Sequence, residues 1–125
     1  MRLLLDTDTF LWWVSDWGEI DEATRDAIAD PGNQVFVSAV SGLEIAVKKA
    51  QGRLVAPDSL SAVVEAKQFE HLPLTFEHIE RAAALPMHHR DPFDRMLIAQ
   101  TQAEGLVLVT RDERMRLYNV STLAV

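Results

Sequence analysis

The sequence predicts an α/β protein: a three-layer α/β/α sandwich around a mostly parallel sheet of four or five strands. Three observations carry that expectation. Short apolar runs alternate with longer helical stretches along the chain. The strand-like runs Leu3-Leu4-Leu5 and Leu106-Val107-Leu108-Val109 lack polar alternation, as strands covered on both faces do. Helical stretches also outnumber strands, enough to cover two faces of one sheet.

Each element follows from its residues. Arg2 to Leu5 reads as a buried strand ending at Asp6. Thr7 to Val14 reads as a helix with a Phe10, Leu11, Trp13 and Val14 face. Asp21 to Asp30 is an Ala-rich helix stopped by Pro31-Gly32-Asn33. Gln34 to Ser38, with Val35, Phe36 and Val37, reads as a strand. Ser41 to Gln51 is a helix closed by Gly52. Pro57-Asp58-Ser59 opens a helix running to about Lys67. Leu72-Pro73-Leu74 is a short extended stretch, and Phe76 to Leu85 is a helix ended by Pro86. Asp91-Pro92 starts the next helix, with proline at a permitted first position, and Gly105 closes it after Glu104. Leu106 to Val109 is the clearest strand. The tail, with Val120 and Leu123, adds a last one.

The 125 residues suit one domain, residues 1–125, large enough to bury a core without disulfides or structural zinc. With no cysteine, a thiol nucleophile and a thiolate metal site are excluded. Twelve basic against 19 acidic residues give a net charge of −7, the wrong sign for gripping duplex DNA along its backbone. Clustered carboxylates holding divalent cations remain open, because the metal reverses the local charge. No apolar run approaches the roughly 20 residues of a bilayer span, and Met1 is not followed by a signal-peptide pattern, so a soluble cytoplasmic protein is expected.

The acidic residues fall at particular places. Asp6 ends the first strand and Asp112 lies just past the Leu106–Val109 strand. In a parallel α/β sheet the carboxyl ends of the strands share an edge with the N-termini of the following helices. Glu44 and Asp94 fall in the first turns of the Ser41 and Pro92 helices, so all four carboxylates are expected on one rim. Crowded carboxylates either hold protons or bind a cation, and oxygen donors favour Mg²⁺ or Mn²⁺.

Local roles are open to each of them as well. Ser41-Gly42-Leu43-Glu44 fits a capping box, and Glu44 could pair with Lys48 one turn on. Asp91 could cap its helix, leaving Asp94 as an acid in the first turn, and Asp112 could cap a turn. Trp12, Trp13 and Trp17 read as core or subunit interface rather than base-stacking residues. His71 and His78 read as surface or partly buried. His88-His89-Arg90 with Arg95, and Arg111 with Arg114 and Arg116, form two basic groups beside Asp94 and Asp112 that could meet phosphates or simply be solvated. Thr110 could serve the site or only end its strand.

Four stretches resemble the motifs of PIN-domain nucleases, in order and spacing, over nearly the whole chain. They are Leu3-Leu4-Leu5-Asp6-Thr7, Val37-Ser38-Ala39-Val40-Ser41 leading to Glu44-Ile45, His89-Arg90-Asp91-Pro92-Phe93-Asp94-Arg95, and Leu108-Val109-Thr110-Arg111-Asp112. The subgroup it is most similar to is the VapC-type toxins of bacterial toxin–antitoxin pairs. The resemblance implies a Mg²⁺- or Mn²⁺-dependent ribonuclease, with Asp6, Glu44, Asp94 and Asp112 as the acidic quartet and Thr110 in support. It also implies a homodimer, an RNA substrate, and a cognate antitoxin whose tail covers the site. Asp8 departs from the His or Asn that relatives often carry, and Asp91 competes with Asp94 as a ligand. Asp94 is preferred for its distance from Leu97-Ile98-Ala99.

Three other readings carry expectations. Asp6-Thr7-Asp8 begins like a haloacid-dehalogenase-type phosphatase, but Phe10 stands where that motif needs Thr or Val. A phospho-receiver lacks its lysine here, since none occurs after Lys67. A PIN fold kept only as a binding module would have no need of a complete quartet.

Overall fold

The computed structural model describes residues 1–15 and 20–125. Eleven elements build the fold in chain order: β1 (Arg2–Leu5), α1 (Thr7–Ser15), α2 (Glu22–Ala29), β2 (Gln34–Ser38), α3 (Ala39–Ala50), α4 (Leu60–Ala66), β3 (Glu70–Leu72), α5 (Phe76–Ala83), α6 (Pro92–Glu104), β4 (Val107–Thr110) and β5 (Ser121–Ala124). A 3₁₀ turn at Met115–Leu117 precedes the last strand. The five strands lie in the order β3-β2-β1-β4-β5 and every pairing is parallel.

β1 is the spine of the sheet. Leu4 pairs with Phe36 on one side and Leu108 on the other. Its side chain packs with Val40, Leu97, Ile98, Leu108 and Met115. Leu3 and Leu5 point to the opposite face, among Phe10, Ile28, Val35, Val37, Ile45 and Val64. All three leucines are fully buried, each contributing about 2 kcal/mol of apolar burial. This is why the run carries no polar alternation. The expected Phe10, Leu11, Trp13 and Val14 face of α1 packs on the second of these clusters.

The strand order reverses between β1 and β4. In open α/β sheets the crevice at such a reversal, outside the carboxyl ends of the strands, is where ligands bind. Asp6 leaves β1 there, its backbone N–H donating to Val109 O at 3.1 Å.

Several boundaries differ from expectation, each for a local reason. α3 starts at Ala39 rather than Ser41, because the Ser38 hydroxyl accepts from Val40 N and caps it. Glu44 is therefore in the second turn, not the first, and no Ser41–Glu44 capping box forms. The Ser41 hydroxyl is instead buried against Thr7, at 2.9 Å. α4 starts at Leu60, after the Pro57-Asp58-Ser59 turn. The third strand is Glu70–Leu72 rather than Leu72 to Leu74. Trp17 lies outside the described residues. Among the described residues no helix is long and apolar enough to cross a membrane.

Candidate functional site

A cleft of about 740 Å³ opens at the β1/β4 reversal, and Asp6, Asp8, Glu44, Asp91, Asp94 and Asp112 all line it. Each acid is held by its own element. Asp6 is buried where β1 gives way to α1: Oδ1 accepts from Thr9 N at 2.9 Å and Oδ2 from the Thr110 hydroxyl at 2.7 Å. Burial pushes its carboxyl above the usual range, although these hydrogen bonds oppose the shift. Thr110 is fully buried, and its oxygen also accepts from Asp112 N at 3.0 Å. It thus ties Asp6 to Asp112 from beneath the cleft rather than reaching into it.

Glu44 is buried on α3. Lys48 donates to its Oε2 at 2.6 Å, the pairing one turn on that its spacing allowed. Its other oxygen, Oε1, is buried and has no hydrogen-bond partner among the described residues. Such an atom is costly unless something binds it.

Asp91 caps α6, its Oδ1 accepting from Phe93 N at 2.8 Å and Asp94 N at 3.1 Å. Asp94 follows within the first turn. Burial, then repulsion from Asp91, Glu44, Asp6 and Asp112, push its pKa up to about 8. Asp112 behaves oppositely. Burial alone would raise it, but donation from Arg114 and His89 outweighs burial and holds its carboxyl low. Asp112 Oδ1 accepts from Arg114 N at 2.8 Å. Asp8 is exposed, yet its carboxyl is raised by desolvation and by Glu44.

His89, read from the sequence as part of a basic loop group, is buried between the acids. Its Nε2 is 2.9 Å from Asp94 Oδ2 and 3.0 Å from Asp112 Oδ2. Donor atoms of His89, Asp94 and Asp112 all lie within 4.8 Å of one another. Asp6 and Glu44 share the cleft but are not part of that tight trio. No periodicity marks His89; only its place two residues before the Asp91 cap foreshadows the contact.

The basic groups divide. Arg95 is buried away from the cleft, donating to the carbonyls of Ala82, Leu85 and Pro86. Arg90, Arg111 and Arg114 do line the mouth, and the Arg111 guanidinium stacks 4.5 Å from the Trp12 ring centroid. Trp12 is therefore a cleft-wall residue, whereas Trp13 packs against Phe69. His78, expected at the surface or partly buried, is 2% exposed, with Nε2 on Glu104 and Nδ1 accepting from Thr75 N. Phe10 is in the core, so the second half of a phosphatase loop is missing.

The sequence profile of the PIN domain matches residues 3–121. The chain is 31% identical over 117 residues to Ribonuclease VapC22 of Mycobacterium tuberculosis, covering 91% of this chain and 89% of that protein. Among solved structures it is similar to a DNA-bound VapBC from Salmonella typhimurium, with a TM-score of 0.71 at 17% identity over 99% of this chain and 98% of the other. It is also similar to a toxin–antitoxin complex from Klebsiella pneumoniae, with a TM-score of 0.66 at 20% identity over 97% and 95%. VapBC-5 of M. tuberculosis gives 0.60 at 20% identity over 99% and 97%. At these identities the solved structures speak for the fold.

Proposed function

The chain belongs to the PIN domain family, in its VapC branch, and from that premise we propose that it is the ribonuclease toxin of a toxin–antitoxin pair, hydrolysing RNA phosphodiesters with Mg²⁺ or Mn²⁺. The observation that carries the metal reading is Glu44 Oε1, buried and without a partner in a cleft of like charges. The donor set fits a hard dication, being carboxylate oxygen throughout. Asp6, Glu44, Asp94 and Asp112 would hold it. A bound dication supplies Lewis-acid charge at the scissile phosphate and lowers the pKa of water.

The chain's own groups prepare that site. Thr9 and Thr110 fix the Asp6 carboxylate, so its orientation costs no reorganisation on binding. Lys48 occupies Glu44 Oε2 and leaves Oε1 without a hydrogen-bond partner among the described residues. Asp94, protonated in large part near neutral pH without a cation, gives up its proton when positive charge enters. Arg90, Arg111 and Arg114 at the mouth offer phosphates local attraction that the net charge of −7 conceals. A recessed cleft suits single-stranded or loop RNA, whose backbone can be drawn in.

Partners follow from two further features. Similar solved structures are VapBC complexes, which supports a small cognate antitoxin. An antitoxin segment laid over the cleft mouth would exclude RNA. Leu43 and Val47, exposed one turn apart on α3, form an apolar stripe that a second copy would cover as a homodimer. A cytoplasmic location, where such an RNA substrate is found, goes with this reading.

The test is cleavage of labelled stem-loop and total cellular RNA by the purified chain, with Mg²⁺ and with EDTA. Cleavage is expected only with metal, and Asp6→Asn and Asp94→Asn are expected to abolish it with the far-ultraviolet circular dichroism unchanged. Cleavage at the wild-type rate by either variant would contradict the assignment. A chain that never cleaves yet binds RNA would be a binding module instead.

A further inference from the structure

We propose that His89 is a positioning residue that holds Asp112 through its Nε2–H, with Asp94 close beside it, and that it does not itself ligate the cation. Distance alone suggests otherwise, since His89, Asp94 and Asp112 converge as a His/Asp/Asp metal site would. The other ring nitrogen decides. His89 Nδ1 lies 3.1 Å from the backbone N of Asp91, which donates to it. A peptide N–H has a proton and no lone pair to offer, so Nδ1 must accept and carries no proton of its own. The single proton of the neutral ring is then on Nε2. That nitrogen is hydrogen-bonded to Asp112 Oδ2 at 3.0 Å, and Asp94 Oδ2 lies 2.9 Å from it. A nitrogen that presents a proton has no lone pair for a metal.

The ring cannot easily swap its roles. Asp91 N is fixed by the start of α6, because the Asp91 side chain caps Phe93 N and Asp94 N. His89 is 3% exposed, and its backbone N donates to the Tyr118 hydroxyl at 2.9 Å. Tyr118 donates in turn to Pro86 O at 2.6 Å, and Arg95 Nη1 reaches His89 O at 3.3 Å. Ring and backbone are therefore held from both sides.

The consequence is mechanical. Asp94 belongs to α6 and Asp112 to the segment after β4, and the His89 ring lies between them, bonded to Asp112. That N–H uses a single lone pair of Asp112 Oδ2 and leaves another for a cation. Outer groups of this kind orient ligands, and their loss costs about 10- to 100-fold in metal affinity.

The inference rests on the proposed metal site, and the experiment separates the two. Two-bond ¹⁵N–¹H correlation spectra of the imidazoles are recorded on the full chain in EDTA and at saturating Mg²⁺, with His89→Gln assigning the signal among the four histidines. A pyridine-type Nδ1 and a pyrrole-type Nε2 are expected in both states. A Nε2 that turns pyridine-type on Mg²⁺ addition, with the proton moved to Nδ1, would overturn the inference by showing direct ligation. Calorimetry with Mg²⁺ is the second arm. Affinity is expected to fall about 10- to 100-fold in His89→Ala and to recover in part in His89→Gln, whose amide keeps an N–H near the Nε2 position. Wild-type affinity in His89→Ala would overturn the positioning role. Wild-type protein that binds no Mg²⁺ would overturn the metal site itself, while the EDTA spectrum still reports where the proton sits. That spectrum needs no variant to fold.

Discussion

Thr110 shows how much one hydroxyl can organise. It donates to Asp6 Oδ2 and accepts from Asp112 N, with no exposure to solvent. Thr110→Val should leave both groups wanting and cost about 1–3 kcal/mol by urea unfolding. Thr110→Ser should keep most of that stability and the Mg²⁺ affinity; equal losses in both variants would assign the effect to the methyl group instead. Asp94 makes a pH prediction. Its folded pKa of about 8 lies above the ordinary carboxylate value of 3.8, so between those values the folded chain holds a proton that the unfolded chain has released. Metal-free stability should therefore fall as the pH rises through that window, then level off. In EDTA, Asp94→Asn should melt like wild type near pH 4 and higher than wild type near pH 8. A lower melting temperature at pH 8 would contradict a crowded acidic site. Asp6, Asp94 and Asp112 were readable in the sequence because each sits at or just past an element end, whereas Glu44 reaches the same cleft from the second turn of α3. His89 was not, because its partners are set by loop closure across Tyr118 and Arg95.

At the scale of elements, hydrophobic run length and caps explain what was legible. β1 and β2 are buried on both faces and announce themselves by unbroken apolar residues. β3 does not, because at the sheet edge two of its three residues, Glu70 and His71, are exposed and only Leu72 is buried. The start of α3 was missed for a different reason. Ser38 and Ser41 are both plausible caps, and only tertiary contacts assign Ser38 to the helix and Ser41 to Thr7. α6 was legible in full, with Asp91 capping, Pro92 opening and Gly105 stopping it in the left-handed region at φ 64°. Asp91→Ala should cost about 1 kcal/mol through the lost cap. Leu4→Ala, at the centre of the sheet, should cost about 2–5 kcal/mol in chemical denaturation. A loss below 1 kcal/mol would mean the core relaxes around it.

At the scale of the whole molecule, alternation of strand and helix implied a parallel sheet, and the observed sheet is entirely parallel. The order β3-β2-β1-β4-β5 was not readable, because strand neighbours depend on contacts distant in sequence. That order is nonetheless what matters most: it sets Asp6 and Asp112 on adjacent strand ends at the reversal. The fold thus concentrates like charge in one cleft, and its stability should respond to cations there. Mg²⁺ at 100 times its dissociation constant should add about 2.7 kcal/mol, read as a rise in melting temperature that Glu44→Gln diminishes. An equal rise in Glu44→Gln would place the binding elsewhere. The most direct measurement is the anomalous difference density of crystals soaked in Mn²⁺. A peak is expected in the cleft within coordination distance of oxygens from Asp6, Glu44, Asp94 or Asp112, with His89 Nε2 beyond it; density only outside the cleft, or none, would contradict a metal held by these acids.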